Sequence, residues 1–376
     1  MPEVFVSDKE LIARQFKIKG NVKIIRNIGN GYINRTFLVE TYTEDGKRHR
    51  YTLQRVNTNV FRNMDALMQN FVLITEHLHE KFLLEGHREK LGSIPMIVRT
   101  LSGEDYLKTE AGCWRMMTYF SHVYTMDIPE TPESFYLSGK SFGKFICDVS
   151  DIDPKKINIT IPNFHNTYSR YLDLEKAIEE DLAERVREVL PEIEFIRKRT
   201  KMLNMISSAL EEGRIPTRIT HNDTNLNNIL FDKDTNMPVA VIDLDTVMPS
   251  SLLYDYGDSI RIGTNTACDD ERDLSRVSCD LNLYEQYTRG FLESCGEIIT
   301  KEELELLPWA SRIITIEDGI RFLTDFINGD TYYIIHRAKQ NLDRARTQLK
   351  LVADMEEKAG EIERITLKIC KELNLL

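Results

Sequence analysis

Thr220-His221-Asn222-Asp223-Thr224-Asn225-Leu226-Asn227-Asn228-Ile229-Leu230-Phe231, followed by Val241-Ile242-Asp243-Leu244-Asp245, is the stretch on which the fold reading turns. A loop rich in Asn and Asp runs into an apolar segment, Ile229 to Asp232. A second apolar segment, Val239 to Ile242, follows Lys233-Asp234-Thr235-Asn236, and the pair predicts a hairpin. Taken alone, the polar loop reads as turn chemistry, because Asn and Asp dominate turns. Two polar halves in this order, each beside an apolar strand, are a far narrower pattern.

Phosphoryl transfer needs a group that orients the acceptor hydroxyl and takes its proton. It also needs a metal to neutralise charge on the phosphate oxygens. Mg²⁺ prefers oxygen ligands and keeps several waters, so one carboxylate and one amide suffice. Asp223, Asn228 and Asp243 have the right chemistry for these three tasks. The spacing His221-x-Asp223-x-x-x-x-Asn228 matches the protein-kinase catalytic loop, and Asp243 corresponds to its metal aspartate. The block resembles the aminoglycoside phosphotransferase and choline kinase superfamily, which shares the protein-kinase fold. The resemblance implies a catalytic Asp223, Mg²⁺ on Asn228 and Asp243, ATP as donor, and a His221 that braces the loop through hydrogen bonds.

Working outward, the first hundred residues are strand-rich. Lys23 to Ile28, Thr36 to Tyr42 and Arg50 to Val56 read as strands, with a hairpin turn at Glu44-Asp45-Gly46-Lys47. Leu67, Phe71, Ile74, Leu78 and Phe82 recur at helical spacing. Met96 to Leu101 and Cys113 to Phe120 complete about five antiparallel strands. From Ser134 onward helices dominate. Ile178, Leu182, Val186 and Val189 form one apolar stripe that Pro191 interrupts. Leu349 to Ile369 predicts a terminal helix or pair of helices. The expectation is an α+β, bilobal protein-kinase-like fold. Residues 1–120 form an antiparallel-sheet nucleotide-binding lobe. Residues 121–376 form a mainly helical lobe with the catalytic loop and acceptor site. Ser121 to Pro132 is the linker, and a cleft between the lobes is the expected ligand site.

Composition excludes other classes. The chain has 376 residues, 41% of them hydrophobic, and a net charge of -11. No apolar stretch approaches the roughly 18–20 residues of a membrane span. No basic patch suits nucleic acid or an anionic membrane. The N-terminus does not read as a signal peptide. The six cysteines form no C-x-x-C pair and are expected as free thiols in a reducing cytoplasm. The acceptor is therefore expected to be a small molecule, and the sequence leaves the oligomeric state open.

Nucleotide contacts are less sharply marked. Gly29-Asn30-Gly31-Tyr32-Ile33-Asn34 reads either as a phosphate-capping loop or as an ordinary hairpin turn. Gly31 and Asn34 are its candidates. The third strand, Tyr51-Thr52-Leu53-Gln54-Arg55-Val56, lacks the phosphate-binding lysine of the superfamily. Arg55 or Gln54 takes that role, or Arg55 is an exposed strand cation; Glu76 is the helical partner considered. Met117 and Tyr119, at the edge that meets adenine in the superfamily, read as adenine contacts or core.

A finer resemblance concerns the acceptor. Asp243-Leu244-Asp245-Thr246-Val247-Met248-Pro249, Tyr254-Asp255-Tyr256-Gly257-Asp258, Leu53-Gln54-Arg55-Val56-Asn57, Ile161 to Thr167 and Gly319 to Asp325 are similar to the N-acetylhexosamine 1-kinases. Those enzymes phosphorylate the anomeric hydroxyl of GlcNAc or GalNAc. The resemblance implies that Arg321 and Tyr332 contact the sugar. The competing readings are an Arg321 ion pair with Glu317 or Asp325, and a Tyr332 in the core. Asp255 and Asp258 are expected to buttress the loop, with Asp255 also within consideration as a substrate contact. The alternatives at the level of function are a kinase for choline, homoserine or an aminoglycoside, and a pseudokinase suggested by the missing lysine.

Overall fold

The computed structural model describes residues 8–28 and 33–376, and the candidate Gly31 lies outside them. The chain forms two compact units. A sheet unit comprises Met1–Tyr124, Lys155–Pro162 and Val239–Met248; a helical unit comprises Thr125–Pro154, Asn163–Pro238 and Pro249–Leu376. The loop of the first motif half and Asp243 therefore belong to different units.

The sheet unit contains α1 (Asp8–Ala13), β1 (Asn21–Asn27), β2 (Arg35–Tyr42), β3 (Arg48–Val56), α2 (Met64–Leu84), β4 (Leu107–Thr109) and β5 (Gly112–Thr118). Its antiparallel strands lie in the order β1-β2-β3-β5-β4. The β2–β3 turn closes where the sequence predicts it, with the Thr43 N–H donating to the Lys47 carbonyl at 3.0 Å. One sheet face, with Phe37, Val39, Leu53, Trp114 and Met116, packs on Ile12, Ala13 and Phe16. The other, with Val56 and Cys113, packs on Met64, Leu67 and Met68. Asn63 caps α2 through the Ala66 N–H, and the predicted apolar stripe of this helix is buried.

Met96 to Leu101 is not a strand of this sheet. Its backbone groups are divided between two neighbours. The Val98 N–H donates to Met116 on β5, whereas the Arg99 carbonyl accepts from Lys17 and the Leu101 N–H donates to Gln15. An apolar alternating segment whose ladder is split in this way cannot hold one continuous pairing. The short β4 takes the edge position.

A polar layer crosses this unit. Arg115 on β5, only 1% exposed, pairs with Asp245, 2% exposed, at 2.5 and 2.9 Å. The Arg115 Nε and Nη2 also donate to Gln54 Oε1 at 2.9 and 2.7 Å, and its guanidinium stands 4.9 Å from the Phe71 ring. Asn34 Nδ2 donates to Asp245 at 2.7 Å, while Asn34 Oδ1 accepts the Asn57 N–H at 3.0 Å. Every charge in the layer is met, as burial requires.

The helical unit contains α3 (Pro132–Asp148), α4 (Thr167–Glu180), α5 (Leu190–Arg197), α6 (Thr200–Leu203), α7 (Met205–Glu211), α8 (Leu252–Thr264), α9 (Leu281–Cys295), α10 (Lys301–Ile327), α11 (Gln340–Glu357) and α12 (Ala359–Glu372). A reciprocal cap between Thr131 and Ser134 starts α3, which lies against α9 so closely that a Cβ on Gly139 would stand 2.4 Å from the Tyr287 carbonyl. The apolar stripe predicted from Ile178 to Val189 does not continue. Helix α4 ends at Glu180, Asp181 adopts a left-handed conformation and accepts the N–H groups of Arg185 and Val186, and Leu182 is exposed. Pro191 opens α5 rather than breaking a helix, the position where its missing N–H costs nothing. Helix α10 is buried along most of its length, and the terminal segment is a pair, α11 and α12, divided at Lys358. No described helix is long and apolar enough to cross a membrane, and none of the six cysteines is joined in a disulfide among the described residues.

Breaking one partner of a buried ion pair costs about 3–5 kcal/mol, because the other charge is left stranded. Arg115→Ala and Asp245→Ala are each expected to lower stability by that amount in denaturant titrations. The double variant should cost clearly less than the two single losses added together. Additive losses would show that the pair is not the unit holding this layer.

Candidate active site

The loop after the strand Arg218–Thr220 is built around one carboxylate. Asp255, in the first turn of α8 and fully buried, accepts the His221 N–H at 2.8 Å and the Asn222 N–H at 2.7 Å. The Thr224 hydroxyl donates to the Asp255 carbonyl at 2.6 Å, and the Ser259 hydroxyl to the Thr224 carbonyl at 2.8 Å. Asp255 is thus a loop brace. Burial pushes its carboxyl up to about 6, against the pull of His221 and the two backbone donors. Gly257 lets α8 approach α10, since a Cβ there would stand 2.6 Å from the Ala310 carbonyl.

His221 is buried, with its ring edge-on to Phe142 and Phe145 of α3 at 5.6 and 5.7 Å. Its Nδ1 accepts the Asp223 N–H at 3.3 Å. Between them Asn222 adopts φ 63°, a left-handed conformation that Asn tolerates better than most residues. Asp223 is half-buried. Its side chain accepts the Asn225 amide and, at 3.1 Å, the Asn228 amide. The Asn228 Nδ2 also donates to the Asp223 carbonyl at 2.8 Å. The amide nitrogen of Asn228 is spent on Asp223, so its oxygen is the atom suited to a hard cation. Burial raises the Asp223 carboxyl above its ordinary range, and Asp258 adds to this; His221 and the two amides pull it down. A carboxylate of raised proton affinity, held in place by amides, can accept a proton from a hydroxyl.

His165 and Glu317 form a part of this site that sequence reasoning passed over. The His165 Nε2 lies 2.8 Å from the Asn222 carbonyl oxygen, and Nδ1 lies 3.2 Å from Glu317 Oε1. The Thr167 hydroxyl donates to Glu317 Oε2 at 2.6 Å. The imidazole stacks on Tyr254 at 5.3 Å. A signal was present in Ile313-Ile314-Thr315-Ile316-Glu317, since an acid that directly follows an apolar run and is buried with it must find a partner. His165 itself sits in a polar run that reads as loop.

A cavity of about 400 Å³ in the helical unit is lined by Arg170 and Lys176 of α4, Arg321 and Asp325 of α10, and Tyr332 and Tyr333. Arg321 pairs with Asp318 at 3.0 Å, and its guanidinium stands 5.7 Å from the Tyr333 ring. Neither Glu317 nor Asp325 is its partner. Glu317 is engaged by His165, and Asp325 accepts the N–H groups of Thr331, Tyr332 and Tyr333 at 2.9, 2.8 and 3.0 Å. Tyr332 is 72% exposed, so it belongs to the cavity wall rather than the core. Asp258, Arg261, Asp318 and Arg321 form a continuous chain of ion pairs at 2.8, 3.2 and 3.0 Å. It runs from α8 to this cavity.

In the sheet unit, Asn34 is occupied in holding Asp245 and the Asn57 N–H. Arg55 pairs with Trp114 across the sheet, so it lies on the α1 face, whereas Gln54 and Arg115 share the other. Arg55 is exposed, with its Nε 2.9 Å from where a Cβ on Gly112 would stand. Glu76 pairs with Arg99 at 3.0 Å on the surface and with no strand cation of β3. Met117 is buried, and Tyr119 is half-buried with the Arg50 guanidinium 5.9 Å from its ring. Asp243 is exposed and left-handed, at φ 59° and ψ 55°. Arg115 was not singled out from the sequence as a charge; it reads there as part of an apolar strand.

Among solved structures, this chain is similar to an aminoglycoside phosphotransferase from Alicyclobacillus acidocaldarius, with a TM-score of 0.61 at 14% identity over 100% of this chain and 98% of that one. A microcompartment-associated aminopropanol kinase gives 0.55 at 13% identity, over 94% and 98% of the two chains. A spectinomycin phosphotransferase, solved with ADP and spectinomycin, gives 0.51 at 12% identity, over 95% and 100%. At these identities the likeness is one of fold, and it matches the antiparallel-sheet and helical regions described above. A family model, the APH phosphotransferase enzyme family, matches residues 24–291, which include both motif halves. The chain belongs to that phosphotransferase family.

Proposed function

We propose that this phosphotransferase moves the terminal phosphoryl group of ATP to the anomeric C1 hydroxyl of an N-acetylhexosamine, giving the sugar 1-phosphate. The observation that carries the reading is the setting of Asp223. Its carboxylate is aimed by two amides and raised in proton affinity, and in the same unit the ion pairs that start at Asp258 lead to a cavity walled by Arg321 and Tyr332. Arginine, tyrosine and a carboxylate supply the dense hydrogen bonding and flat ring that a sugar requires. The nucleotide part draws support from the related spectinomycin phosphotransferase, which is described with ADP.

Asp223 orients the C1 hydroxyl and takes its proton as that oxygen attacks the terminal phosphorus. The bond from phosphorus to the bridging oxygen breaks and ADP leaves. No covalent enzyme intermediate is needed. By the order of the motif, Mg²⁺ falls to Asn228 and Asp243; when bound, it neutralises charge on the phosphate oxygens. His221 holds the backbone of Asp223. In the sheet unit, Gly31, Asn34, Arg55, Met117 and Tyr119 remain the nucleotide candidates. Asn34 acts through the support it gives Asp245, and Arg55 is the exposed cation of the third strand, on the α1 face of the sheet.

Asp223→Asn should lower kcat by at least about 100-fold with the protein still folded, the usual worth of a positioned general base. Full activity in that variant would remove Asp223 from the mechanism. Arg321→Ala should raise the acceptor KM by about 10-fold, with a smaller effect on the KM for ATP. A panel of GlcNAc, GalNAc, glucose and choline, read by ADP release, decides the acceptor class. Turnover of choline without turnover of either N-acetylhexosamine would overturn the sugar assignment, and chelation of divalent metal should stop the reaction in either case.

A further inference from the structure

His165 faces two acceptors at once. A neutral imidazole has one donor nitrogen and one acceptor nitrogen, so it can satisfy only one of them. The Asn222 carbonyl oxygen at 2.8 Å and the Glu317 carboxylate at 3.2 Å both require an N–H. The carboxylate is itself fixed from its other oxygen by the Thr167 hydroxyl. The arrangement is therefore that of an imidazolium, its ring wedged against Phe164 at 4.6 Å and Tyr254 at 5.3 Å. Its side chain is 7% exposed, and that of Glu317 is 1% exposed.

The carbonyl that it grips is not arbitrary. Asn222 lies directly before Asp223, and its φ of 63° turns that peptide into the protein interior. Asp255 satisfies the N–H groups of His221 and Asn222, and His165 satisfies the carbonyl of Asn222. Asn222 is thus held at both of its backbone groups: its N–H by an anion, and its carbonyl, the oxygen of the peptide leading into Asp223, by a cation, while the N–H of that peptide goes to His221 Nδ1. His165 lies just before α4, and Glu317 lies one turn before Arg321 on α10. Both elements also line the cavity.

We infer that His165, charged through its pairing with Glu317, is a positioning residue that fixes the peptide carrying Asp223 and so sets the direction of the Asp223 carboxylate. This rests on the reading of Asp223 as the proton acceptor. The charged groups facing the ring are Glu317 and Asp318 from α10, and Asp255 and Asp258 from α8; Tyr254 of α8 is the titratable ring stacked on it. All four carboxylates favour the cation. Burial, the largest single influence, disfavours it, yet Glu317, Asp258 and the Asn222 carbonyl together outweigh that and hold the proton above the usual imidazole range. The sign follows from a raised value. The cationic half of the clamp is complete below about pH 6.5, the unfolded imidazole value, and is lost as pH rises through the folded value.

The test compares His165→Gln, His165→Leu and Glu317→Gln with the parent protein, using ATP and N-acetylglucosamine. Gln can still donate to the Asn222 carbonyl but carries no charge. Leu does neither. Expected is a fall in kcat ordered parent, Gln, Leu, reaching up to about 100-fold for Leu, with acceptor KM little changed. The alkaline limb of the kcat profile should vanish in His165→Gln and move to lower pH in Glu317→Gln. Unchanged kcat in a folded His165→Leu, or an alkaline limb unmoved in both other variants, would overturn the inference. Carbon-labelled imidazole signals read by NMR supply an arm independent of turnover. One histidine should titrate above the usual range in the parent and lower in Glu317→Gln, and no such histidine would also overturn it. Asp223→Asn run alongside separates the two readings, since activity retained there removes the role of Asp223 while leaving the titration of His165 intact.

Discussion

The helical unit depends on the two hydrogen bonds by which Asp255 holds the backbone of His221 and Asn222. A polar loop that leaves a strand into a buried environment carries N–H groups with no ladder to join. Each would cost about 1–3 kcal/mol if left without a partner. Asp255 meets both with one carboxylate and is itself placed by the start of α8. Because α8 lies against α10 at Gly257, the position of the loop is tied to a long helix buried along most of its length. The loop residues are then free to use their side chains, rather than their backbone, for chemistry.

The sheet unit solves a parallel problem with Asp245. Here too a buried carboxylate follows a segment bearing a candidate ligand, and here too its oxygens are fully engaged. The partners differ in kind. The Asp255 carboxylate is met by two backbone donors, and burial pushes it up to about 6. Asp245 is met by a bidentate guanidinium and an amide. A bidentate arginine imposes an angle as well as a distance, which suits a side chain that must also fix the backbone beside Asp243.

Much of this was legible in the sequence. Local period and turn chemistry suffice for β1 to β3, α2 and the split between strand-rich and helical regions. The motif spacing picked out Asp223 and Asn228, which the fold joins by hydrogen bonds. The misses have a common cause. Met96 to Leu101 has strand composition, but its backbone partners come from two separate segments. Ile178 to Val189 keeps helical spacing, but Asp181 turns the chain left-handed. Arg321 was weighed against Glu317 and Asp325 by helical spacing, yet each of those acids is claimed by a more distant group. His165 and Arg115 matter through residues 152 and 130 positions away, respectively. Pairings at such range leave no periodic trace in one sequence.

The absent strand lysine becomes intelligible through Arg115. In the superfamily pattern a cation on the third strand would be met by an acid on the helix. Here the third strand offers Gln54, whose carbonyl oxygen accepts from Arg115, and the helix offers the Phe71 ring beneath the guanidinium. The buried cation of this layer stands on β5 and its anion is Asp245, while Glu76 pairs with Arg99 at the surface. A lysine at position 54 would repel Arg115 across a directly opposed strand pair, whereas the Gln54 carbonyl accepts from it. Gln54, Phe71 and Asp245 together leave Arg115 fully partnered and the buried layer with its charges balanced.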